Sequence, residues 1–105
     1  MELQPGPAQP VYQKPFDPMT SYTHQSHTLG ASAEVIYQPP GANVIRFQAL
    51  AQNIRYTLDG TIPTAASGFQ MAASAVPLTL ELTESTILTV IREQSGAILQ
   101  YEFGE

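Results

Sequence analysis

Asp59 is the acid whose surroundings most invite a chemical reading. It lies in Tyr56-Thr57-Leu58-Asp59-Gly60-Thr61-Ile62-Pro63-Thr64, a stretch that sets a carboxylate beside a phenol and several hydroxyls. Sugar hydrolysis is a reaction such a group could serve, and it needs a second carboxylate across the sugar ring. Glu81, Glu84 and Glu93 are available, yet they fall at strand and turn positions where solvated acids are ordinary. A turn accounts for Asp59 without any reaction, because its carboxylate can accept local backbone amides while Gly60 takes positive φ. Asp59, Gly60 and Pro63 are therefore expected to be turn residues: a strand runs into Asp-Gly and a proline directs the exit. No catalytic residue is expected.

His24 and His27, in Thr23-His24-Gln25-Ser26-His27, have a three-residue spacing that recurs in metal sites. No cysteine, third histidine or neighbouring acid cluster completes a coordination sphere, so both are expected to be polar junction residues, with no metal and no cofactor. No serine stands in a nucleophile-elbow context, and no glycine-rich loop precedes a helix. Arg46, Arg55 and Arg92 fall inside strand-like segments, where they are expected to pair with glutamates across a sheet or to bridge subunits.

Composition narrows the partners. The chain has 105 residues, enough for one small domain with a thin core. Only 12% of residues are charged, the net charge is -5, and just four residues are basic. Neutralising the phosphates of a nucleic acid is not a task for such a chain. The absence of cysteine removes disulfides, thiolate metal sites and cysteine nucleophiles together. No run approaches the roughly 18 apolar residues of a membrane helix, and the N-terminus has no basic region followed by an apolar stretch, so neither membrane nor secretory signal is expected.

The elements that would position these residues divide near residue 30. Residues 1–29 hold Pro5, Pro7, Pro10, Pro15 and Pro18 and show neither helical nor strand periodicity; they are expected to form an extended N-terminal arm. Val11, Tyr12, Phe16, Met19 and Tyr22 punctuate that arm, whereas flexible linkers are poor in aromatics, so they are expected to anchor it in a groove on a neighbouring subunit. Residues 30–105 alternate between short apolar runs and turn signals. Strands are expected over 34–38, 44–49, 53–58, 69–71, 78–82, 86–93 and 98–103. Ile87 to Ile91 is apolar on both sides, as a central strand covered on both faces would be. Seven short strands with regular turns describe an all-β, immunoglobulin-like β-sandwich.

The segment Ile54-Arg55-Tyr56-Thr57-Leu58-Asp59-Gly60-Thr61-Ile62-Pro63-Thr64 is similar to the hallmark of the immunoglobulin-like repeat at the C-terminus of chitobiase-type enzymes, an accessory module without hydrolytic function. More widely, NIRYTLDGTIPTAASGFQM followed by TILTVIREQSGAILQYEFG resembles small virion proteins of tailed bacteriophages. That resemblance implies a non-enzymatic structural protein, made in the host cytoplasm and incorporated into the virion. A capsid decoration or cement protein on the capsid exterior fits best, its arm clamping the major capsid protein or other virion subunits through avidity. A homo-oligomer, with a trimer favoured, would give the arm a neighbour to reach. The alternatives are a head-to-tail or tail-associated virion protein and, in another class, a carbohydrate-binding accessory module; the latter usually displays exposed aromatics, whereas Tyr37, Phe47, Tyr56, Tyr101 and Phe103 are expected at core positions.

Overall fold

A computed structural model describes residues 22–105. The arm positions Val11, Tyr12, Phe16 and Met19 lie outside the described residues; Tyr22 lies within them. The described residues form eight β-strands and no helix: β1 (Gln25–Thr28), β2 (Glu34–Ile36), β3 (Val44–Leu50), β4 (Ile54–Thr57), β5 (Phe69–Met71), β6 (Leu78–Glu81), β7 (Leu88–Arg92) and β8 (Ile98–Gly104).

Each strand is a period-two pattern sorted by burial. In β3, Ile45, Phe47 and Ala49 are buried while Val44, Arg46, Gln48 and Leu50 face the other way. Leu99 and Phe103 do the same in β8. In β7, Leu88, Thr89 and Val90 are all buried, so this half of the strand is covered on both sides, whereas Ile91 is half-buried and Ile87, expected in the same covered run, precedes the strand and is exposed.

All strand pairs are antiparallel. β1 pairs with β8, β2 with β7, β3 with β6 and β4 with β5. The chain is thus a long ribbon folded back on itself at the β4–β5 connection. Two further pairings, β3 with β8 and β4 with β7, roll that ribbon into two four-stranded sheets ordered β1-β8-β3-β6 and β2-β7-β4-β5. Buried residues of both sheets form a single cluster. Within it the Phe47 ring of one sheet meets Tyr56 of the other edge-on, with centroids 5.4 Å apart.

Two expectations are corrected here. An immunoglobulin-like order would keep the first, second, fifth and fourth strands in one sheet. Here consecutive strands alternate between sheets everywhere except at β4–β5, because alternation within a strand sets which face is dry but not which strand lies alongside. The folded domain also does not begin at residue 30. β1 pairs residue by residue with β8, from Gln25 with Tyr101 to Thr28 with Ile98. Leu29 is buried and donates its amide to the Ala97 carbonyl at 3.0 Å. Upstream, the Tyr22 amide extends the ladder to the Phe103 carbonyl at 2.8 Å.

The registers give the two ends of the sheets different contents. Val44 lies beside Gly104 and Glu81 in one sheet, and Ile36 beside Leu88 in the other. One end therefore gathers the connections 37–43, 58–68 and 82–87, the close of β8, and Tyr22, where the described chain starts.

Candidate functional site

The Asp59 segment forms the tip of the β4–β5 connection at this end. The Asp59 carboxylate accepts the Thr61 amide at 3.0 Å, a local turn that holds the acid below the usual carboxylate range. Thr57 Oγ1 donates to the Thr61 carbonyl. Gly60 has φ 86° and lies against Ile87, whose amide donates to the Leu58 carbonyl at 3.0 Å. Pro63 is fully buried beneath the turn. Thr64 and Ser67 then close the return through reciprocal backbone bonds of 3.1 Å and a hydroxyl contact of 2.9 Å. The hydroxyls and the carboxylate that suggested chemistry are thus engaged with their own turn.

The two histidines are directed to different places. His24 bonds Gln100 and lies 3.5 Å from the Glu102 carboxylate. These contacts, the Gln100 bond foremost, raise its pKa. His27 meets Glu34 at 2.8 Å, bridging β1 of one sheet to β2 of the other. That bond holds the Glu34 carboxyl below its ordinary range. Among the described residues, no group of three or more histidines or acids is placed to hold a metal ion.

Arg46 and Arg55 make the cross-strand pairs foreseen for them. Arg46 reaches Glu102 at 3.2 Å and Thr79 at 3.1 Å. With His24, Gln100 and Ser26 this makes a polar chain that crosses the sheet from β6 to β1. On the other sheet, Arg55 donates to Glu93 at 2.6 Å and Gln70 to the same carboxylate at 2.8 Å; Arg55, chiefly, keeps Glu93 ionised to lower pH. Arg92 makes no ion pair among the described residues. Glu81 and Glu84 are exposed, and Tyr22 donates to the Glu105 carboxylate at 2.9 Å, which raises the phenol's pKa.

What the end of the sheets does present is apolar surface. Ile62 is 73% exposed and Phe69 64%. With Thr57, Leu58, Asp59 and Pro63 they line an open groove of about 490 Å³ beside the hairpin. Tyr37 (82% exposed) and Ile87 (43%) border a second groove, between residues 35–38 and 84–87. Tyr37 was expected in the core. It follows Ile36, the residue of β2 that takes the inward side, so the alternation turns Tyr37 outward just before Pro39-Pro40 leads the chain off the sheet. Ile62 and Phe69 were not singled out from sequence, although an isoleucine between Asp-Gly-Thr and Pro-Thr is an apolar residue in a turn and hence a visible signal.

Apolar grooves edged by a single carboxylate suit the docking of protein segments. No protein family, curated protein or solved structure matches the chain.

Proposed function

We propose that this chain is a non-enzymatic structural protein of a tailed-bacteriophage virion, a decoration or cement subunit on the capsid exterior. The observation that carries the reading is the gathering of Tyr37, Ile62, Phe69 and Ile87 as exposed apolar side chains at one end of the sheets. The N-terminal segment joins the fold at that same end, through Tyr22. A shell protein could be gripped there at several points at once, with each contact raising the effective concentration of the next. The resemblance of residues 53–71 and 86–104 to small phage virion proteins supports the same conclusion.

On the fold, we read the two sheets as a β-sandwich with jelly-roll connectivity, eight strands in a rolled double ribbon, in place of the immunoglobulin-like order. Jelly rolls serve viral capsid and lectin domains alike, so the assignment rests on the surface and not on the fold.

The test is a chain lacking residues 2–20, added to purified heads that carry none of it. Because Tyr22 belongs to the β1–β8 ladder, this cut spares the sheet, whereas one extending through Tyr22 would not. The truncated chain should keep the urea midpoint of the full chain and lose at least nine-tenths of its occupancy on heads. Undiminished occupancy would sink the proposal.

A further inference from the structure

The groove beside the β4–β5 hairpin combines features that together describe a ligand. Its walls are Ile62 and Phe69, both largely exposed, over a floor that includes Leu58 and Pro63. Its rim carries the Asp59 carboxylate, which the Thr61 amide keeps ionised. A fitting occupant is therefore extended, bears large apolar side chains and places one cation between them. The chain contains such a segment. Residues 11–16, Val-Tyr-Gln-Lys-Pro-Phe, set Lys14, its one lysine, between Tyr12 and Phe16. Pro10 and Pro15 bias this stretch toward extended geometry and lower the entropy lost on binding.

Of the three arginines, Arg46 is held by Glu102, Arg55 by Glu93, and Arg92 lies within β7 and not in an extended segment flanked by aromatics. Reach then decides which copy supplies the segment. The described chain starts at Tyr22 on the β1 edge, while the groove lies at the β5 edge, across the four-strand width and in the other sheet. Three strand spacings and one intersheet spacing put these edges roughly 17 Å apart in a straight line. The six residues from Phe16 to Tyr22 span about 19 Å when extended. Connections 38–42 and 82–84 meet at this end of the sheets, so a path over them is longer than the straight line and uses up what little slack one chain has. A second copy faces no such limit.

We propose that residues 11–16 of a second copy of this chain lie along the groove between Ile62 and Phe69, with that copy's Lys14 against Asp59. The contact is head-to-tail, since groove and segment are different surfaces of one chain, and it closes into a ring when the rotation permits. It deepens the partner side of the virion reading without depending on any particle.

Sedimentation of the full chain over a range of micromolar concentrations tests it. The wild type should self-associate. Phe16→Ala should weaken association about tenfold, as loss of a buried aromatic anchor does. Lys14→Glu and Asp59→Lys should each weaken it about three- to fivefold at low salt, as loss of one exposed pair does, and the double exchange should restore it. Because Asp59→Lys also touches the turn, Lys14→Glu and a photo-reactive residue at position 16 give independent arms; the cross-link should join two chains at Ile62 or Phe69. A monomer at every concentration, a cross-link within one chain, or association indifferent to Phe16→Ala and Lys14→Glu would each overturn the proposal. An associating chain that never decorates heads would instead refute the virion reading and leave this one standing.

Discussion

At Gly60 and Gly68 the hairpin bearing the groove depends on backbone geometry open to few residues. Both have positive φ, 86° and 106°, where an L-residue is strained by roughly 1 kcal/mol or more. Their surroundings differ. A Cβ on Gly60 would meet the flexible end of Ile87 at 3.4 Å, whereas one on Gly68 would lie 3.1 Å from both the Pro63 ring and the Tyr56 carbonyl. Backbone and a buried ring cannot yield as a methyl end does. Gly68→Ala should therefore destabilise by about 2 to 3 kcal/mol and Gly60→Ala by about 1. Urea midpoints of the two variants check the order, and equal midpoints would show that the close approach at Gly68 has no energetic consequence. The Asp-Gly turn was legible in sequence because its chemistry is local: a short acid that caps its own turn beside a residue tolerant of positive φ. The exposure of Ile62 and Phe69 was not, because it depends on the absence of a neighbour.

Strands were legible to the degree that one face of each is dry. Each of the seven segments expected from alternation overlaps one observed strand, with β3 and β8 running one residue further and β5 having the expected bounds. β1 went unseen because Gln-Ser-His-Thr carries no apolar alternation; it is a strand only because β8 offers a partner. Its edge is joined to β2 by the His27–Glu34 bond, and its outer side by His24 to Gln100 and Glu102. These links predict opposite pH responses. The Glu34 carboxyl is depressed, chiefly by His27, so its contribution is complete above the ordinary carboxylate range, about pH 4.5, and is lost as pH falls through the lower folded value. The His24 imidazole is raised, chiefly by Gln100, so its contribution is complete below about pH 6.5 and is lost as pH rises through the higher folded value. Glu34→Gln should make the acid limb of the stability profile shallower, the shares of Asp59 and Glu93 remaining, and His24→Gln should flatten the limb above neutrality, each sparing the other. Thermal melts at closely spaced pH values read both limbs, and a single variant that flattens the two together would refute the assignment.

Over the whole molecule, the rolled ribbon dictates an order of assembly that no single strand reveals. The pairing of Ile54 with Met71 closes a short loop, whereas that of Gln25 with Tyr101 closes one spanning almost the full described chain. Loop closure must be met before distant pairings are rewarded, so a fold with few local contacts is expected to form in milliseconds to seconds. The β4–β5 hairpin, with the Tyr56 ring tilted against Phe69 at 5.7 Å and edge-on to Phe47 at 5.4 Å, is the natural nucleus. The β1–β8 edge closes last. Met71 and Leu29 are both buried in the common core, and truncating either to alanine should cost about 2 to 5 kcal/mol. The loss should divide differently between the rates. Met71→Ala should slow folding, with a φ-value of about 0.5 or above, while Leu29→Ala should mainly accelerate unfolding, with a φ-value under about 0.3. Stopped-flow chevrons on the two variants measure this directly. If Leu29→Ala slows folding as much as Met71→Ala does, the edge nearest the N-terminal segment forms with the nucleus, and the ribbon is rolled from its open end instead of its hairpin.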